Sequence, residues 1–97
     1  MSEMNKLIKL LAKNDIPFEV RSINILPYGE DYPGSTIQIC SPSDKNIWVD
    51  AICHRGSYGG KEGLIEIMGI FEEDDGVIGH LTAEQAYGYF VKVRDNL

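Results

Sequence analysis

Four side chains in this sequence, Cys40, Cys53, His54 and His80, carry the donor atoms of a zinc site. Two thiolates and two imidazoles match a tetrahedral structural centre by count. Their spacing does not, because neither a C-x-x-C nor an H-x-x-x-H clip is present. Residues 41–46, SPSDKN, read as a hairpin turn, which sets Cys40 beside the turn and Cys53 near the far end of the next strand. Six residues of strand separate them by roughly 20 Å. Cys53 and His54 are neighbours in sequence, so a regular strand points them to opposite faces. The expectation is two small buried thiols and two loop histidines, with no bound metal. The alternative is a zinc site, or a small metal- or thiol-dependent enzyme, centred on Cys53, His54 and His80. A nucleophilic cysteine needs a base within reach and a third group to orient that base. Cys53 with His80 supplies only the first two. Carboxylate pairs for acid–base work can be drawn from Asp50, Glu62 and Glu66, as from any acidic domain.

The segment GSYGGKEG at 56–63 has the glycines and the lysine of a phosphate cradle. A P-loop, however, requires G-x-x-x-x-G-K-[ST] between a strand and a helix. Here Lys61 is followed by Glu62, and the residues after it favour a strand. A glycine-rich turn, mobile enough to serve as a contact surface, is the better reading. Acidic turns are the more suggestive feature. Glu72, Glu73, Asp74 and Asp75 form a run of four charges, Glu30-Asp31 and Asp44 sit in other turns, and Tyr28, Tyr32 and Tyr58 are interleaved with them. Solvated turns are often acidic, but several together present a negative field to a basic partner. Lys6, Lys9 and Lys13 read as the solvated side of a helix.

These residues must be held by elements that the hydrophobic pattern outlines. Met4, Leu7, Ile8 and Leu11 fall at i, i+3, i+4 and i+7, an apolar helical stripe that Asn14-Asp15 and Pro17 end. Residues 18–26 are β-branched but change face near Arg21-Ser22, which suggests a bulge or a strand covered on both sides. Residues 27–34 form a turn, and 36–40 and 47–53 form a hairpin. In the second hairpin strand Ile47, Val49, Ala51 and Cys53 face one way and Trp48, Asp50 and Ile52 the other. Residues 64–71 read as a strand, because Gly63 and Gly69 weaken the helical option. Thr82 with Gln85 three residues on is a capping box, opening a helix that buries Ala83, Ala86, Phe90 and Val93. The expected fold is α+β: one domain over 1–97, an antiparallel meander of about four strands, and a helix at each end.

Composition excludes several classes of function. A chain of 97 residues that is 43% hydrophobic and 25% charged is neither disordered nor multidomain. No apolar run approaches the length of a membrane span, and Glu3 with the lysines around it is wrong for a signal peptide. Two cysteines make no disulfide framework, so reduced thiols in a cytoplasm are expected. A net charge of −6 and a pI of 4.7 oppose direct nucleic-acid binding, which needs a basic face.

Residues 50–69, DAICHRGSYGGKEGLIEIMG, together with 80–90, HLTAEQAYGYF, resemble a family of small proteins found in phages and prophages of Firmicutes. The likeness covers about the C-terminal half; the N-terminal helix and Pro17-Phe18 fit it loosely. The resemblance implies no enzymatic activity and carries over no catalytic residue. In size, charge and setting the chain is similar to anti-CRISPR proteins. That likeness implies a cytoplasmic inhibitor that binds a host protein, a type II RNA-guided nuclease, and mimics DNA with an acidic surface. Such nucleases hold nucleic acid in basic channels. The residues expected to meet the partner are Glu30, Asp31, Tyr58, Glu72, Glu73, Asp74 and Asp75. A plain phage interaction domain is the other alternative.

Overall fold

The structure, a computed structural model, describes residues 2–23, 36–54, 56–69 and 76–95. Helix α1 spans Glu3–Lys13, strands β1 to β5 span Glu19–Ile23, Thr36–Pro42, Ile47–Ile52, Ile65–Gly69 and Val77–Leu81, and helix α2 spans Ala83–Asp95. The strands pair in chain order, every neighbour antiparallel, so the sheet is an uninterrupted meander between two helices. This is the expected α+β fold with one more strand than the sequence suggested. The additional strand is β5, whose alternation is broken by a bulge: Ile65 and Ile67 face Leu81 and Ile78, leaving one extra residue on β5. His80 within that bulge has φ 59°, a left-handed backbone that costs energy for a side chain with a Cβ. The face change near Arg21-Ser22 is not a bulge, since β1 keeps an unshifted register against β2 from Glu19 to Ile23.

Helix ends follow from local chemistry. The Ser2 hydroxyl accepts the Asn5 N–H at 3.1 Å, and Asp15 takes a left-handed φ of 57° so that the Ile16 N–H returns to the Leu11 carbonyl at 3.0 Å. At the start of α2 the Thr82 N–H donates to Gln85 Oε1 at 2.9 Å and the Gln85 N–H donates to Thr82 Oγ1 at 3.3 Å, the reciprocal box that the sequence indicates. Glu3 adds a tie that joins the two ends of the chain. Its Oε1 accepts the Ala83 N–H at 2.8 Å while Oε2 pairs with Lys6 at 2.9 Å. The Ala83 N–H and then Lys6 hold its carboxyl below the usual range.

Both helices lie on one face of the sheet. Met4, Leu7 and Leu11 from α1 and Ala83, Ala86, Phe90 and Val93 from α2 bury against Ile39, Val49, Ala51, Ile65 and Ile67. Each large side chain buried there contributes roughly 1.5–3 kcal/mol. Helix α1 packs on α2, and α2 packs on β3, β4 and β5. Register fixes what remains: Glu19, Arg21, Gln38, Cys40, Trp48, Asp50, Ile52, Glu66, Met68 and Val77 occupy the opposite face, which neither helix covers. Among the described residues no helix is long and apolar enough to cross a membrane.

Thr82→Ala removes an exposed cap and should cost about 1 kcal/mol, whereas Phe90→Ala opens the core and should cost about 3–5 kcal/mol. Chemical denaturation of the two variants checks the order. Equal losses would mean that the α2 stripe is not the centre of the core.

Candidate functional site

Among the described residues, the sheet face opposite the helices carries a side-chain hydrogen-bond chain that crosses three strands. Arg21 Nε donates to Gln38 Oε1, and Gln38 Nε2 donates to Asp50 Oδ2 at 2.7 Å, linking β1, β2 and β3. The Met68 backbone N–H of β4 also favours the ionised Asp50. Gln38 is only 9% exposed, and its amide uses both ends in this chain. Burial and then Glu66 push the Asp50 carboxyl above its ordinary value, against the pull of Gln38, Met68 N–H and Arg21. Of the carboxylates considered from sequence, Asp50 and Glu66 are thus brought together on one face, on adjacent strands. Glu62 lies in the 3₁₀ turn Gly60–Glu62 instead.

Beside Glu66 stands the loop that precedes β4. Ser57 Oγ accepts the His54 N–H at 2.9 Å and donates to the His54 carbonyl at 2.7 Å, and the Gly56 N–H donates to His54 Nδ1 at 3.0 Å. Gly60, Glu62, Gly63 and Leu64 then close successive backbone turns on Ser57, Gly59 and Gly60 carbonyls. The loop is knitted by its own hydrogen bonds, in contrast to the mobile turn that its glycine content suggests. Gly60 has no space for a Cβ, which would collide with the His54 carbonyl oxygen. Tyr58 crowns this loop. Its N–H donates to Glu66 Oε1 at 2.9 Å and its carbonyl accepts the His80 N–H at 3.0 Å, which holds the bulge in place. A Cβ on Gly79 would collide with Tyr58 Cβ, so glycine there admits the tyrosine. The side chain is left 62% exposed, and Met68 on the same face is 50% exposed.

The zinc candidates are distributed differently from the expectation. Cys40 is opposite Asp50 on the open face and fully buried. Cys53 is three residues past Asp50, on the parity of Val49 and Ala51, half-buried against the core. The two are therefore offset by about 10 Å along the strands, not 20 Å, because the register places Cys40 two residues back from the turn; opposite faces keep them apart. His54 is buried in the loop and His80 is exposed on the bulge. Among the described residues no group of three or more His, Cys, Asp or Glu is placed to hold a metal ion. Burial pushes both thiols up, the reverse of what activates a nucleophile. Of the residues expected to meet a partner, Tyr58 is in place; Glu30, Asp31, Glu72, Glu73, Asp74 and Asp75, with Tyr28 and Tyr32, lie outside the described residues.

A shallow groove of ≈ 280 Å³ along the outer side of α2 is lined by Gln85, Gly88, Tyr89 and Lys92. Among the described residues that line it there is no carboxylate, thiol or imidazole. The sequence singled out neither this groove nor the Arg21–Gln38–Asp50 chain; alternation within β3 put Asp50 on the polar side, but only pairing with β2 supplies Gln38. Neither a family model, nor a curated protein, nor a solved structure matches the chain.

Because the folded chain binds a proton at Asp50 more tightly than the unfolded chain does, this group contributes stability at low pH that is lost as pH rises past its raised pKa. Asp50→Asn should therefore be at least as stable as the parent at pH 7, with its advantage shrinking as pH falls toward the ordinary carboxylate range. Melting temperatures of both proteins from pH 7 to pH 4 test this. A variant less stable than the parent at pH 7 would show that the charge itself is needed.

Proposed function

We propose that the chain is a non-enzymatic, phage-type binding protein that occupies a basic surface of a host defence complex. Its narrowest form is inhibition of a type II RNA-guided nuclease by excluding DNA from that surface. The observation that carries the reading is Tyr58. An aromatic side chain 62% exposed at the crest of a loop fixed by its backbone is a pre-organised anchor. The net charge of −6 supports the choice of a basic partner. The two sequence resemblances, to the phage family and to anti-CRISPR proteins, support the choice of a defence nuclease. An enzyme centred on Cys53, His54 and His80 has no comparable support, given thiols pushed up by burial.

The test adds the purified protein to a type II nuclease–guide complex and measures binding and cleavage of labelled DNA. Inhibition at stoichiometric excess is expected; full cleavage at that excess overturns the nuclease reading. Glu72→Gln, Glu73→Gln, Asp74→Asn and Asp75→Asn together should slow association, with the effect shrinking as salt rises. Tyr58→Ala should act on dissociation, speeding it about tenfold or more with little salt dependence.

A further inference from the structure

We infer that the face of the sheet opposite the helices is, around Asp50 and Glu66, a docking surface for a basic protein segment, an arginine or lysine of which sits between Asp50 and Glu66 while Tyr58 and Met68 flank its aliphatic stem. This rests on the reading of the chain as a binding protein, and not on the identity of the nuclease. The argument is one of charge and shape. Asp50 and Glu66 lie on adjacent strands of a face that neither helix covers. Among the described residues neither has an ion-pair partner. Among the described residues the cation on that face is Arg21, whose Nε is engaged by Gln38, and its direct pull on Asp50 is the smallest of the influences on that carboxyl. Each carboxylate therefore raises the cost of the other's charge, and a cation between them removes that cost. Tyr58 is fixed beside Glu66 by its own N–H, and Met68 is the cross-strand neighbour of Asp50. The two exposed side chains thus bracket the acidic pair. An aromatic ring and a thioether suit the stem of a long basic side chain, the ring adding a cation–π contribution if the head passes over it. A second copy of this chain brings the same carboxylates and is repelled, as is nucleic acid.

The experiment titrates the isotope-labelled full chain with a six-arginine peptide at low salt, with a six-glutamate peptide as control. Amide shifts are followed by NMR, and Trp48, the single tryptophan and a residue of the same face, is followed by fluorescence. The arginine peptide should shift the amides of Asp50, Tyr58, Glu66 and Met68 and change Trp48 emission; the glutamate peptide should do neither. Asp50→Asn with Glu66→Gln, which keeps the side-chain shapes and removes both charges, should weaken binding by on the order of tenfold, with the amide spectrum reporting that the fold is retained. Shifts centred on residues 72–75, or a double variant that binds as the parent does, overturn the inference. Shifts that follow protein concentration instead of peptide would place a second copy on the face and also overturn it. The nuclease assay is read separately: absent inhibition with intact peptide docking removes the nuclease and leaves the face, and inhibition that survives the double variant removes the face and leaves the nuclease.

Discussion

The meander of five strands has both of its helices on one side, so the apolar core builds on one face of the sheet, and this constraint shapes the molecule. Both helices are spent on the side of Ile39, Val49, Ala51, Ile65 and Ile67, where Phe90 and Leu7 complete the core. The opposite side mixes apolar and polar residues, Cys40, Ile52 and Met68 beside Gln38, Asp50 and Glu66. It is stabilised by polar chemistry: Arg21, Gln38 and Asp50 hand hydrogen bonds across three strands, and Glu66 receives the Tyr58 N–H.

How far the sequence foretold the fold depends on the range of the interactions. Where one helical turn or one strand contains the whole signal, it was readable. Thr82 and Gln85 are three residues apart and meet as expected, the stripe Met4, Leu7, Leu11 is buried, and Val49 and Ala51 face the core while Asp50 does not. Where the signal lies between strands, it was not. Strand β5 escaped notice because its extra residue at the bulge shifts alternation by one, and His80 occupies a left-handed backbone whose N–H the Tyr58 carbonyl accepts. The change of face in residues 18–26 looked like a bulge, yet the pairing of β1 stays regular through Ile23.

The site obeys the same rule more strictly. Tyr58 was recognisable as a loop aromatic, but its immobility comes from Ser57 closing on His54 and from glycines that admit backbone where a Cβ would collide. Glycine content alone suggests the opposite, a mobile loop. Asp50 was visible as one acidic residue among many. Its significance arises from Gln38, twelve positions earlier, and Glu66 on the next strand, and both relations exist only once the register is set. The zinc candidates illustrate the complementary point: donor atoms of the right kind are present, but strand parity sends Cys40 and Cys53 to opposite faces.

Rigidity and charge then divide the work of recognition between them. A tyrosine already held by two backbone hydrogen bonds loses little conformational freedom when a partner closes over it, so more of its contact energy remains as affinity. That benefit appears in the lifetime of a complex, since contacts formed after encounter govern dissociation. The excess of carboxylates acts earlier, through a long-range field that raises the rate of encounter with a basic surface and is weakened by salt. Asp50 belongs to both regimes. Its charge adds to the field, while its burial and the neighbouring Glu66 make the same charge costly, a cost that the hydrogen bond from Gln38 only partly offsets. On the proposed reading a neutral partner would leave that cost in place and a basic one would remove it, so the face would discriminate by what it leaves unsatisfied as well as by what it touches.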